Sequence, residues 1–372
     1  MKILVISHEY PPIGGGGANA CFFLTKEFVK QGHQVLVVTA AYRDLPKEET
    51  IDGVSIVRVK AKRKKEDKST FMEMFSYLVS AYKYADKLCK TEKFDICQVY
   101  FGIPSGPIGV HLKKKYKIPY VVRFGGGDIP GAQKRFALMY VVLSPFIRNI
   151  WKNASALVAN SQVLKDRALG FESKYPVSVI ANGVDSQFFS PKKEKEITRT
   201  ILFVSRLIKG KGLQFIIPEM KRINKETGAK LVIVGDGPFR QELEQITRDT
   251  GSGDIVSFEG KKNKKELYDY YSSADLFILP SESEGMPNVV LEAMSMGLPV
   301  VMTPCGGSGE LIDGNGRVVE IDKFADAVIE VLRNENERET MGCESRKRVE
   351  RLFGWEQKAS EYVEIFNVSI GK

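Results

Sequence analysis

Two carboxylates stand eight positions apart in SESEGMPNVVLEAMSMGLPVV, residues 281–301: Glu284 in a Gly/Pro turn and Glu292 inside the apolar run that follows. Gly285, Met286 and Pro287 read as a loop entering a helix, because proline is tolerated near the first helical position. The opening amides of such a helix, those of Asn288 and Val289, have no acceptor within it and face any nearby anion. Phosphate between two carboxylates that can accept hydroxyl groups describes a sugar nucleotide. The counter-charges stand in FVSRLIKGKG, residues 203–212, where Arg206 follows a β-branched run directly and Lys211 precedes the next helical pattern. A planar donor fork beside a compact ammonium suits two adjacent phosphates. Alone, that pair is better read as ordinary surface charge at a strand end; the Glu284/Glu292 segment turns the reading to phosphate binding.

A second candidate lies in the first half. SHEYPPIGGGGANA, residues 7–20, joins the first apolar run to a helical pattern, and its glycines allow close backbone approach to a bulky ligand. Gly15-x-Gly17-x-x-Ala20 also satisfies the dinucleotide spelling GxGxxA. That fingerprint should follow its strand immediately and be answered about 20 residues on by an acid. Here His8–Gly14 intervenes and the second strand runs into Val38-Thr39-Ala40, so a nicotinamide cofactor is not expected. For His8, ligand contact and packing remain equally open; His33, in a GHxV turn, reads as structural.

The elements that must position these groups follow from periodicity. Short β-branched runs alternate with longer helical patterns, the signature of parallel sheets with crossover helices. Strands are expected at 3–6, 35–39, 54–59, 96–100, 120–123, 156–159 and 177–180. After the polar stretch SPKKEKEITR they resume at 201–204, 231–234, 255–258, 276–279 and 299–302. A chain of 372 residues suits two domains. The expected division is 1–189, completed by a C-terminal helix at 355–372, then a linker at 190–199, then 200–354. Such α/β domains bind ligands beyond the carboxyl ends of their strands, so the site is expected between the two.

The five cysteines are scattered without a CxxC pair, which argues against a zinc site or disulfide framework and fits a reducing cytoplasm. MKILVIS reads as a buried strand rather than a signal peptide, and the apolar run 136–147 is too short and interrupted to span a bilayer. Residues 1–190 carry 28 Lys+Arg against 16 Asp+Glu, a surplus of +12, while 191–372 carry 27 against 30, or −3. The densest basic segments are KAKRKKEDK, residues 60–68, and KKKYK, residues 113–117; the first leads into an aromatic amphipathic pattern. Lysines beside such a helix can hold an anionic membrane surface, although a solvated loop before a core-facing helix has the same composition. No DNA- or RNA-binding pattern accompanies the lysines, so nucleic acid is not an expected partner.

PPIGGGG, QGHQV, ANSQVLKD, IANGVD, SRLIKGKG, LVIVGDGPFRQELE, the 281–301 segment and GGSGELIDGNG occur in an order that resembles the retaining glycosyltransferases of family 4, over residues 2 to about 365. The resemblance implies the GT-B fold, in which two Rossmann-like doubly wound domains face each other across a cleft. It matches Glu284 and Glu292 to the family's E-x7-E motif, Glu284 at the donor sugar and Glu292 on the ribose hydroxyls. Arg206 and Lys211 match the basic pair on the diphosphate, and Gly15 and Gly16 the glycine pair that approaches the phosphates. It also implies a C-terminal helix that returns to the first domain, with Trp355 as its anchor. One departure stands in VRFGGGDIPG, residues 122–131: Phe124 occupies the position where many relatives carry histidine, whereas Asp128 keeps the family's acid. Arg123 could supply charge there or serve the strand end.

Implied, then, is retaining transfer of a sugar from a nucleoside-diphosphate donor to a glycan or lipid-linked acceptor, cytoplasmic or peripheral on the inner face of the cell membrane. No cofactor is expected, and with no D-x-D in the sequence no essential metal either. Glycosidase-like covalent catalysis through Glu284 is a lesser alternative to front-face transfer. A sugar-nucleotide epimerase of the same architecture and a basic nucleic-acid-binding protein are the competing functions.

Overall fold

The computed structural model describes every residue except 67–68, 132–136, 193–197 and 372. The chain forms two compact units, residues 1–182 with 355–372, and residues 183–354.

Unit 1 holds an eight-stranded sheet: β1 (Lys2–Ile6), β2 (Gln34–Ala40), β3 (Glu48–Ile51), β4 (Val54–Val59), β5 (Ile96–Tyr100), β6 (Tyr120–Arg123), β7 (Ala156–Ala159) and β8 (Val177–Val179). Its spatial order is β3-β4-β2-β1-β5-β6-β7-β8. Every pairing is parallel except β3 with β4, a hairpin turned at Asp52-Gly53. Helices α1 (Gly16–Lys30), α2 (Phe71–Thr91), α3 (Gly102–Tyr116), α4 (Ala137–Asn153) and α5 (Gln162–Phe171) cover its faces. The central strands are buried on both sides, which is why β1 reads as a continuous apolar run after Lys2 and every residue of β5 is buried. One core takes in α2, α3 and α4 through Tyr77, Ile108 and Ile147. The other takes in α1 and the C-terminal helix.

Unit 2 continues with β9 (Thr200–Val204), α6 (Leu213–Ile216), α7 (Met220–Thr227), β10 (Lys230–Val234), α8 (Arg240–Asp249), β11 (Val256–Gly260), α9 (Lys264–Ser273) and β12 (Leu276–Leu279). It closes with α10 (Asn288–Ser295), β13 (Val300–Met302), α11 (Ser308–Leu311), β14 (Gly316–Val318), α12 (Phe324–Arg333) and α13 (Glu335–Leu352). The sheet order is β11-β10-β9-β12-β13-β14, all parallel. Helix α14 (Trp355–Ile370) returns to unit 1, where the Trp355 ring stacks on Phe23 with centroids 5.4 Å apart and Phe366 meets Phe28 at 5.5 Å.

The first unit ends at Asn182, before the polar stretch expected as the linker, of which 193–197 lie outside the described residues. Residues 183–189 belong to unit 2 because their backbone is tied there. Ser295 Oγ donates to Phe189 O at 2.6 Å, Arg346 donates to Ser186 O and Phe189 O, and Val184 bridges to Gly354.

Candidate active site

In each sheet the chain order reverses at one place, and loops diverging there leave a crevice at the carboxyl ends of the strands. In unit 2 the reversal falls between β9 and β12. The loop after β9 carries Arg206 and Lys211; the loop after β12 carries Glu284, Gly285 and Met286. Backbone contacts lock the two loops together. The Glu282 N–H donates to Gly210 O at 2.9 Å, and a Cβ on Gly212, whose φ is +78°, would lie 1.9 Å from Pro280 O. Lys211 Nζ consequently reaches Glu284 Oε1 at 2.5 Å, with both side chains largely screened from water. From the next strand end, Gly306 lies under Glu284, where a Cβ would come within 2.0 Å of the Glu284 carbonyl oxygen. Gly235 and Gly237 similarly let the 235–237 turn close on Ser205 and Leu207, beside the exposed Arg206.

Helix α10 begins after Pro287 with no side-chain cap, so its first amides are presented at the crevice by the backbone alone. Met286 is buried beneath this start, and Asn288 and Val289 are partly exposed. One turn further, Glu292 Oε2 accepts from Tyr271 Oη at 2.9 Å. Dense packing around that carboxyl raises its pKa from near 4.5 to about 7, against the opposing pull of the Tyr271 hydrogen bond and the Lys264 charge. Lys264 is held by Asp185 at 2.9 Å and lies over the Phe188 ring at 4.3 Å.

In unit 1 the order reverses between β1 and β5, and the glycine loop leaves β1 there. Gly15 precedes α1 without a side-chain cap, and Gly16 is its first residue. Phe101, at φ +66°, wedges between Gly17 and Gly125: a Cβ on either would meet its ring at 2.6 or 2.1 Å. Asp128 is buried and accepts from Gly102 N at 2.6 Å and Gly125 N at 2.9 Å. Its carboxylate shapes the β5 and β6 loop ends from within, so any effect on a ligand runs through those loops. Phe124 is a core residue, its ring 5.0 Å from that of Trp151. Arg123 is buried too, donating to Asn182 and lying over Tyr100, which settles it as a strand-end structural group. His8 is buried against Phe101 and Tyr77, and burial, assisted by Arg63, lowers its pKa to about 3, so it is neutral.

Of the residues singled out in the sequence, the structure carries Arg206 and Lys211 on the loop after β9 and Glu284, Gly285, Met286, Asn288, Val289 and Glu292 on the loop and helix after β12, and it brings Lys211 and Glu284 into contact. Sequence reasoning missed Tyr271, Lys264 and the Gly306 contact, which are 21 or more residues from the carboxylates they serve and unmarked by any local spelling. Among the described residues no cluster of three His, Cys, Asp or Glu side chains could hold a metal ion.

Two family models match successive parts of the chain. Residues 14–188 match the model described as Glycosyltransferase Family 4, and residues 198–334 the one described as Glycosyl transferases group 1. A glycosyltransferase of Methanocaldococcus jannaschii is 30% identical over 100% of this chain and 99% of its own length. The chain belongs to the group 1, family 4 glycosyltransferases. A GDP-mannose-dependent alpha-(1-6)-phosphatidylinositol monomannoside mannosyltransferase of Mycobacterium tuberculosis is 29% identical to this glycosyltransferase, covering 60% of the chain and 64% of that protein. Sucrose-phosphate synthase from Thermosynechococcus elongatus superimposes with a TM-score of 0.80 at 20% identity, over 99% of this chain and 98% of that one, which confirms the GT-B fold.

Proposed function

We propose that this glycosyltransferase moves a sugar, with retention and without an essential metal, from a nucleoside-diphosphate donor to a hydroxyl of a lipid-linked or envelope glycan acceptor. The observation that carries the reading is the Lys211–Glu284 pair at the switch point of unit 2, with the uncapped start of α10 on the same loop. Cleaving the anomeric bond builds negative charge on the departing diphosphate. Fixed cations and amides aimed at that charge lower the barrier more than they stabilise the bound donor. Lys211 and Arg206 supply the cations, the Asn288 and Val289 amides the dipoles, and Gly15 and Gly16 of unit 1 meet the phosphates by backbone approach. Glu292 accepts the ribose hydroxyls. Glu284, already holding Lys211, accepts a donor-sugar hydroxyl and keeps the ammonium in place. Incubation with a panel of nucleotide sugars in the presence of EDTA tests the reading; donor cleavage that depends on Lys211 supports it.

An anionic membrane surface as the place of the acceptor is supported by three observations. The exposed lysines 60, 62, 64 and 65 precede an α2 whose outward face carries Phe71, Met72, Phe75 and Val79, with Met72 69% and Phe75 61% exposed. A helix showing large apolar side chains to water beside lysines has the composition of a bilayer-surface element. One relative is named for a phosphatidylinositol-based acceptor. The other basic segment, at 113–117, ends α3 at the amino ends of the strands, where Lys113 and Lys115 are engaged by Asn153 O and Asp86. No described helix is long and apolar enough to cross a membrane.

A further inference from the structure

Within the segment that reads as a uniform basic run, one cation faces the other way. Lys60, Lys62, Lys64 and Lys65 are exposed, whereas Arg63 is buried. Its guanidinium donates through Nε to Lys65 O at 3.0 Å, through Nη1 to Ser69 Oγ at 2.7 Å, and through Nη2 to Glu66 O at 2.9 Å and Glu9 Oε1 at 3.2 Å. The Glu66 carbonyl also accepts the Gly14 N–H at 2.9 Å, on the glycine loop itself. Glu9 packs under the same glycine, where a Cβ would meet both its Cβ and Oε2 at 2.7 Å, at a φ of +102°. The far end of the lysine loop is pinned to α2 by Glu73, which accepts from Lys64 N at 3.0 Å and Thr70 N at 2.6 Å.

We propose that Arg63 is a positioning residue for transfer: it clamps the lysine-bearing loop against Glu9 and Gly14 and so fixes the backbone of Gly14–Gly16. A run of four glycines has no side chains with which to hold a conformation, and each costs more entropy to order than any other residue. An external brace with several directed, charge-assisted bonds supplies that order. This proposal rests on the reading in which Gly15 and Gly16 meet the donor phosphates. Arg63 itself touches no substrate. Its loss therefore acts on the step that uses the glycine loop and spares the nucleotide contacts made by unit 2.

The experiment compares wild type with Arg63→Met and the milder Arg63→Lys. Its readouts are steady-state turnover of a cleavable nucleotide sugar, titration with UDP and GDP, and amide exchange of the peptide covering residues 13–18. Displacement of a group that must meet the transition state costs about ten- to a hundred-fold in kcat. Arg63→Met is expected to show such a loss with a much smaller change in nucleotide affinity and faster exchange at 13–18, and Arg63→Lys an intermediate loss at an unchanged melting temperature. Unchanged turnover and exchange in both variants overturns the proposal, as does a fall in nucleotide affinity and melting temperature with kcat preserved. A wild type that cleaves no donor at all defeats the underlying functional reading instead, and the exchange data then still report whether the brace exists.

Discussion

Lys211 and Glu284 are 73 residues apart in sequence, and their side chains meet at 2.5 Å because the loops carrying them leave the two strands between which the sheet order of unit 2 reverses. In this arrangement the carboxylate orients the ammonium. Each therefore has a distinct consequence when removed.

Lys211→Ala and Arg206→Ala each lose most activity while remaining folded, since both lie on loops outside the core. Removal of one stabilising contact to the leaving group costs about 2–4 kcal/mol in the barrier. Steady-state kinetics beside circular dichroism checks this; near-wild-type turnover in both variants removes the phosphate assignment.

Glu292→Ala raises the nucleotide dissociation constant more than it lowers kcat, because ribose contacts persist from ground state to transition state. Glu284→Ala lowers kcat more, since it releases Lys211. Titration with UDP and GDP beside turnover separates the two, and the opposite pattern means their roles are exchanged.

Nucleotide affinity rises with pH through about 7. Burial holds the Glu292 carboxyl protonated up to that region, and the ionised form is the one that accepts two hydroxyls. The folded-state pKa lies above the usual 4.5, so the folded protein binds the extra proton between those values. The corresponding stability is present below 4.5 and lost as pH rises through about 7. Tyr271→Phe removes a hydrogen bond that favours the carboxylate, so the affinity profile moves to higher pH. Calorimetric titration between pH 5.5 and pH 8.5, a range of about 1.5 units either side of the midpoint, reads both effects. An affinity flat across that range contradicts this account of Glu292.

Replacing Lys60, Lys62, Lys64 and Lys65 by glutamine abolishes co-sedimentation with anionic vesicles, and Phe75→Ser weakens it. Arg63 is left intact because it is internal. Each lysine contributes about 1 kcal/mol near such a surface, within roughly a Debye length, so wild-type binding falls with added salt. A wild type that ignores anionic vesicles at low salt places the acceptor in solution.

What the sequence made legible was short-range. All strands but β3 and β14 showed as β-branched runs because parallel strands are buried on both faces. The E-x7-E spacing showed because one helical start separates the two acids. Strand β3, EETI, stayed hidden because it is a polar edge strand in an antiparallel hairpin, and β14, GRV, because it is a three-residue edge strand that begins with glycine. The unit boundary also escaped composition, since a polar stretch marks solvent exposure and not the point where backbone ties change sides. Glu292's partner Tyr271, Arg63's inward turn and Gly212's fit against Pro280 depend on contacts across the fold, which no local spelling encodes.

The most direct test of donor cleavage with retention at the Lys211–Glu284 loop pair is proton NMR of the first sugar released from an α-linked nucleotide sugar, in EDTA, by wild type and Lys211→Ala. The account predicts an α-configured first product from wild type and almost none from the variant. A β-configured first product, or equal release by both proteins, contradicts it.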